Sequence, residues 1–176
     1  MQQILQFTTS YTVQQMTIFN RIASKIYPNP KGRRRRIFNV VLGTFGVVIS
    51  ALTYQSGGAL WLVAMSCIVG LWYLVAAVWH YRIMGQQSYQ ARPKGVEFMR
   101  FTFDKSGMVV ENATGYSRFT FDEVKCVAEG KTLFVLFTSE AERQGYLIPK
   151  EDLPSVDAFR VMMETQYGCK VEQFKC

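Results

Sequence analysis

Hydrophobic residues are concentrated in one long run in the first half of the chain. No charged residue occurs from Ile37 to Trp79, and a single helix of that length would be about 65 Å long, roughly twice the thickness of a bilayer's hydrocarbon core. The polar, glycine-rich residues 55–58 interrupt the run. The pattern therefore predicts a transmembrane hairpin over residues 37–81, with spans at about 37–54 and 59–79. Neither span shows the polar stripe of a helix with one face in water.

Basic residues on both sides of the apolar run predict its orientation. Lys and Arg accumulate on the cytoplasmic side of membrane helices. They flank the run at both ends and are absent from the connecting turn, so both termini are predicted to be cytoplasmic. The residues expected to contact the inner leaflet are Arg33, Arg34, Arg35, Arg36 and Arg82. The aromatic residues expected to anchor the hairpin at the two interfaces are Tyr54, Trp61, Trp79 and Tyr81.

The first 36 residues predict a cytoplasmic arm and an amphipathic helix. Residues 2–11 fit a short strand or an extended arm, and residues 12–26 place apolar side chains at helical spacings of three and four. Two prolines, Pro28 and Pro30, end the helix. Its apolar face can lie on the membrane surface or pack on the C-terminal part of the chain, and the pattern leaves both open. The apolar face consists of Met16, Phe19, Ile22, Ala23 and Ile26.

From about residue 88 the pattern changes to alternating apolar and polar positions separated by turns. Several consecutive antiparallel strands followed by one helix are typical of a small α+β domain, which we predict for residues 88–176. The predicted strands cover residues 96–103, 108–112, 116–121, 123–129, 132–138 and 145–150, and the final helix covers residues 155–167.

The distribution of charge argues against nucleic acid as a partner. Residues 1–96 contain ten Lys or Arg and no acid, whereas residues 97–176 contain ten Lys or Arg and all thirteen acids. The two parts therefore carry +10 and −3, which give the net charge of +7. Because phosphate neutralisation needs a basic face, the mildly acidic C-terminal part is a poor nucleic-acid binder.

No pattern of catalytic or metal-ligating residues is recognisable. The four cysteines form no CxxC pair, and the one histidine, His80, lies at the predicted membrane edge, so we expect no zinc site and no cofactor. The neighbouring carboxylates Asp122 and Glu123 would point to opposite faces of a strand. There is no nucleotide-binding glycine motif, and we expect that the protein is not an enzyme.

Three stretches of the C-terminal part resemble the YcxB-like family of bacterial membrane proteins. They are FDKSG at 103–107, FDEVKCVAE at 121–129 and LIPK at 147–150. In that family the second stretch commonly begins with Trp, and Phe121 stands at that position here. The resemblance implies a pleckstrin-homology-like fold, an antiparallel sheet or barrel with a terminal helix, in a protein of the bacterial cytoplasmic (inner) membrane. It implies no established activity.

Two functions from different classes fit these expectations. The first is a membrane-anchored, non-enzymatic interaction module whose cytoplasmic domain binds a protein or peptide, for example along a sheet edge. The alternative is an immunity-type inner-membrane protein that protects against a membrane-acting toxin. Small residues at Gly46/Ser50 and Ser66/Gly70 allow close helix packing, either within the hairpin or between copies in a homo-oligomer. In both cases the lipid bilayer is a partner.

Overall fold

The computed structural model describes residues 5–92, 98–104, 106–139, 144–166, 168 and 171–174. Lys105 of the predicted turn and Tyr167 of the predicted final helix lie outside these residues. The chain folds as two compact units, one made of residues 1–27 and 84–176 and the other of residues 28–83. We call them the domain and the hairpin. The N-terminal arm and helix therefore belong to the same compact unit as the C-terminal strands.

The domain is α+β, as predicted, and its strands form two four-stranded sheets rather than a closed barrel. Sheet A has the order β1-β2-β3-β4 and sheet B the order β7-β6-β5-β8. The elements in chain order are β1 (Leu5–Ser10), α1 (Val13–Ile26), α2 (Pro30–Gln55), α3 (Leu60–Val78), α4 (His80–Gln90), β2 (Phe98–Asp104), β3 (Gly107–Asn112), β4 (Gly115–Phe119), β5 (Cys126–Glu129), β6 (Leu133–Ser139), β7 (Gln144–Pro149), α5 (Val156–Gln166) and β8 (Val171–Gln173).

Two details of the strands differ from the sequence-based prediction. The predicted strand at 123–129 begins only at Cys126, because Phe121–Glu123 form a 3-10 turn. In this turn a carboxylate oxygen of Glu123 accepts a hydrogen bond of 2.6 Å from the backbone N–H of Thr120. The short strand β8 was not predicted, and it pairs with β5 in parallel, so sheet B is mixed and not purely antiparallel.

One hydrophobic core lies between the two sheets and is closed by α5. Phe101 and Phe103 of sheet A meet Phe134 of sheet B there, together with Phe159 and other side chains of α5. All four phenylalanines are 0% or 1% exposed. Phe134 and Phe159 have ring centroids 5.0 Å apart, so α5 is packed directly on sheet B.

A second core lies on the other face of sheet B and is covered by α1. Ile22 and Ala23 of α1 pack in the same cluster as Val135 and Phe137 of β6. The helix thus packs on the C-terminal strands, which is one of the two uses that its sequence left open. Because successive residues of a strand point to opposite faces, β6 contributes to both cores, and this explains its uninterrupted apolar sequence.

The segment before α1 fixes that helix to sheet B. Thr12 and Gln15 form a capping box, in which the Thr12 hydroxyl accepts from the backbone N–H of Gln15 and the Gln15 side chain accepts from the backbone N–H of Thr12. The adjacent Tyr11 is 7% exposed, and its hydroxyl accepts a hydrogen bond of 3.2 Å from the backbone N–H of Leu147. Burial raises the pKa of the Tyr11 hydroxyl well above its ordinary value.

In the hairpin, α2 and α3 are both long and apolar enough to cross a membrane. Small residues bring their backbones together: a Cβ atom placed on Gly70 would lie 2.8 Å from the Val47 nitrogen and 2.9 Å from the Gly43 carbonyl oxygen. The Ser50 hydroxyl donates a hydrogen bond of 2.9 Å to the Val63 carbonyl. The small residues that the sequence singled out therefore pack within the hairpin.

One helix is longer than predicted, and one additional helix was not predicted. Helix α2 begins at Pro30 instead of near residue 37, and the Asn29 side chain caps it by accepting from the backbone N–H of Lys31. Helix α4 was not predicted, since its sequence has no apolar periodicity. From Met84 onward α4 belongs to the domain, where Gly85 permits close contact with Thr17 of α1.

Candidate docking groove and arginine collar

A groove of about 670 Å³ separates strand β1 from helix α5 in the domain. Leu5 and Gln6 line one side. We call this cleft the β1–α5 groove. The opposite side is lined by Pro154, Ser155, Asp157, Ala158, Phe159, Val161, Met162 and Thr165.

The amphipathic pattern of α5 explains why an apolar surface faces this groove. Phe159 and Met163 point into the core and are fully buried, whereas Val161 remains 56% exposed. Met162, which lies between the exposed Val161 and the buried Met163, is half-buried. A second apolar stripe therefore runs along α5 beside the one that packs on the sheets.

Strand β1 presents an edge to the same region. Within the described residues its only strand partner is β2, with Phe7 paired to Phe101. The strand alternates buried Phe7 and Thr9 with exposed Gln6 and Thr8. An edge strand carries backbone N–H and C=O groups that no neighbouring strand satisfies, and such an edge can accept another strand.

A buried carboxylate holds α5 against sheet B beside the groove. Glu129 of β5 has a side chain only 7% exposed, and both of its oxygens accept from the Arg160 guanidinium of α5, at 2.8 and 2.9 Å. The Lys150 ammonium donates to the same carboxylate at 2.6 Å. Hydrogen bonds from Arg160, with help from Lys150, lower the pKa of Glu129 to about 2 although burial acts in the opposite direction. The position of α5 is thus fixed by charge as well as by packing.

The charge exposed at the groove is negative. Asp157 is 88% exposed and accepts a hydrogen bond of 2.6 Å from Arg160, but that guanidinium is directed mainly to Glu129. Glu164, one helical turn further along α5 than Arg160, is also exposed. The rim therefore suits a neutral or basic segment better than an acidic one.

The five arginines predicted to contact the inner leaflet lie in the hairpin unit. Arg33, Arg34, Arg35 and Arg36 occupy consecutive positions near the start of α2, and all four side chains are exposed. Together with Arg82 of α4 we call them the arginine collar.

Two aromatic residues contact the arginine collar. The Arg36 guanidinium lies 5.6 Å from the ring centroid of Tyr81, and that of Arg82 lies 5.7 Å from that of Trp79. The pKa of nearby His80 is lowered by partial burial and then by the charges of Arg36 and Arg35. Trp79 and Tyr81, two of the predicted aromatic anchors, therefore lie beside the collar.

The other two aromatic anchors, Tyr54 and Trp61, flank the turn between α2 and α3. They are 65% and 66% exposed. Gly57 in this turn has φ = +74°, a conformation that favours glycine. Contact of any of these residues with lipid stays a prediction.

Sequence reasoning missed the groove and the cluster around Glu129. An acid placed at the end of an apolar strand, with a basic residue on the following helix, was the available signal for the cluster. The groove had no local signal, because it depends on pairing between residues almost a hundred positions apart. Among the described residues, no group of three or more His, Cys, Asp or Glu side chains could hold a metal ion.

Comparison with known families concerns the C-terminal part of the chain. Residues 103–164, from β2 to α5, match the model of the family described as YcxB-like protein. Over these residues the chain is similar to that family, as the sequence resemblance indicated, and two apolar helices precede them. A search of curated proteins found no match to the chain.

Proposed function

Starting from a YcxB-like domain joined to two apolar helices, we propose that this protein is a membrane-anchored, non-enzymatic interaction module. Its domain binds an extended segment of a partner protein in the β1–α5 groove. The observation that carries the proposal is the coincidence of an unpaired strand edge with an apolar helix surface at one groove.

The mode of binding follows from the two sides of the groove. A partner segment that adds a strand to β1 would satisfy the backbone groups of that edge, and the six residues of β1 are about 20 Å long. Every second side chain of the added strand would then face α5, where Val161 and Met162 offer apolar contacts. Main-chain hydrogen bonds give affinity in such complexes, and these alternate side chains give specificity.

The charge beside the groove indicates the chemistry of the partner segment. The domain as a whole is close to neutral, since residues 1–27 and 84–176 contain 14 Lys or Arg and 13 Asp or Glu, but the exposed, acidic Asp157 lines the groove. The proposed ligand is therefore an extended segment with apolar side chains at alternate positions and a neutral or basic net charge.

The proposed location is the bacterial cytoplasmic (inner) membrane, with two crossings and both termini in the cytoplasm. The finding that residues 1–27 and 84–176 form one compact unit supports two crossings, because two crossings return the chain to the side from which it started. The basic residues that flank both ends of the hairpin favour the cytoplasm for that side. A pleckstrin-homology-like architecture is part of the same proposal, supported by two sheets around one core that α5 closes.

Site-specific photo-crosslinking of the full-length protein in cells tests the proposal. A photoreactive residue at Val161 should crosslink one recurrent partner, and the crosslinked peptide should be an apolar, neutral or basic segment. The same residue at Tyr116, which is 78% exposed on β4, is the matched control and should not capture that partner. Purified partner should also slow hydrogen exchange of the β1 amides.

Two results would contradict this function. One is a partner that protects β4 and leaves the β1 amides unchanged. The other is protection of cells from a membrane-acting toxin that survives Val161→Lys undiminished, because an immunity-type protein acting through its spans has no need of the groove.

A further inference from the structure

The positive charge of the hairpin has no internal counterpart. Residues 28–83 contain six Lys or Arg and no Asp or Glu. The hairpin therefore has no acidic side chain that could pair with the collar, and the positive charge of the collar attracts anions from its surroundings.

The collar surrounds α2 at the point where the apolar surface begins. Successive helical residues are rotated by about 100°, so Arg33 to Arg36 cover most of the circumference within one turn. The next two residues, Ile37 and Phe38, are 53% and 59% exposed. A ring of cations is thus followed directly by two exposed apolar side chains, an arrangement that matches an anionic headgroup joined to acyl chains.

Aromatic rings lie beside two arginines of the collar. The guanidinium carbons of Arg36 and Arg82 are 5.6 and 5.7 Å from the ring centroids of Tyr81 and Trp79. Such a contact uses the positive charge of the group and orients it. The N–H donors lie in the plane of the guanidinium, where they can form bidentate hydrogen bonds to a phosphate.

We propose that the arginine collar selects anionic phospholipids from the surrounding bilayer, binding their phosphate groups while Ile37 and Phe38 contact their acyl chains. This inference rests on the proposed membrane location but not on the β1–α5 groove. A lipid is favoured over a soluble polyanion because the apolar surface adjoins the cations without a gap.

Tryptophan quenching by brominated lipids tests the selection with residues that the hairpin already contains. The full-length protein is reconstituted into vesicles of phosphatidylcholine and phosphatidylglycerol at one fixed ratio, with bromine on the acyl chains of either lipid. Trp61→Phe and Trp72→Phe leave Trp79 as the reporter beside the collar. Its emission should be quenched more strongly when phosphatidylglycerol carries the bromine.

The opposite end of the hairpin gives the matched control. With Trp72→Phe and Trp79→Phe, the remaining Trp61 lies at the first turn of α3, about 27 Å along the helix from position 79. It should be quenched equally by the two brominated lipids. Equal quenching at Trp79, or an equal preference for phosphatidylglycerol at both ends, would overturn the proposal.

Charge variants assign the preference to the collar. Each basic side chain near an anionic surface raises the affinity for that surface by about fivefold. The double variant Arg33→Gln with Arg34→Gln should therefore reduce the preference for phosphatidylglycerol at Trp79 at least severalfold. Arg33→Lys with Arg34→Lys should retain most of it. Arg100→Gln with Arg118→Gln removes the same charge from exposed positions of the domain and should change nothing. A preference that survives in the collar glutamine variant would also overturn the proposal.

Discussion

The domain and the hairpin place their hydrophobic residues in opposite ways. In the domain the large side chains are inside, and Phe134 and Phe137 are completely buried. In the hairpin the small residues are inside, including Gly43 and Gly70, while Phe45 is 61% exposed. One chain therefore follows two packing rules.

The difference matches the surroundings that we propose for the two units. In water, the burial of large apolar surface drives folding. Between helices surrounded by lipid tails that force is absent, and close backbone contact at small residues replaces it. The hairpin has the second arrangement, which agrees with its proposed place in a bilayer.

The largest difference between the two units is expected when a phenylalanine side chain is removed from each. Phe134→Ala should lower the free energy of unfolding of the domain by about 3–5 kcal/mol, because it leaves a cavity in a closed core. Phe45→Ala should change the stability of the hairpin by less than about 0.5 kcal/mol. Hydrogen exchange of β6 and α2 amides in the full-length protein measures both values. Equal losses in the two units would show that the packing rules do not differ.

The second test enlarges a small residue in the hairpin. Gly70→Ile should destabilise α2–α3 packing by about 2–3 kcal/mol, since its side chain would collide with the backbone at Gly43 and Val47. Val69→Ile, on the adjacent exposed position of α3, is the control and should have little effect. Loss of helicity on heating in detergent measures the change. Helices that melt together at the same temperature in both variants would rule out a close glycine contact.

The third and smallest effect concerns charge, which the domain pairs internally and the hairpin does not. The pKa of Glu129 is about 2 in the folded domain and about 4.5 ordinarily. Its contribution to stability is thus fully present above pH 4.5 and lost as the pH falls toward 2. Glu129→Gln should cost about 2 kcal/mol at neutral pH, less than for a fully buried pair because Lys150 and Arg160 still reach water.

The pH dependence itself separates the two units. Between pH 4.5 and 2 the variant should lose less stability than the parent domain, whereas the hairpin, which contains no carboxylate, should stay constant. Chemical denaturation of the full-length protein, followed at amides of β5 and of α3, provides both curves. A pH-independent difference between variant and parent would exclude a depressed pKa at Glu129.

Much of this fold could be predicted because its signals are local. The uncharged run from residue 37 to 79 and the polar turn at 55–58 were sufficient to predict α2 and α3. Alternation and turn residues located β2, β3, β6 and β7 to within a few positions. Each of these elements could be predicted because the side chains that determine it lie within the element itself.

What could not be predicted depends on residues distant in sequence. The β1–α5 groove arises because β1 pairs with β2 across residues 11–97, and the strand β8 has only three residues and pairs in parallel with β5. Helix α4 is held in the domain by Thr17 and Asn20 of α1, the latter donating to Ser88 at 3.3 Å. The two partners of each contact lie too far apart in the sequence for a local pattern to reveal them.

The origin of the domain from two separated segments also constrains the order in which the chain can fold during synthesis. Residues 5–27 are made before the strands that they contact, because those strands begin only at residue 98. Until then the apolar side chains of Met16 and Ile22 have no sheet to pack on. The ribosome must therefore complete the whole hairpin, and most of sheet B, before residues 5–27 can reach their final place.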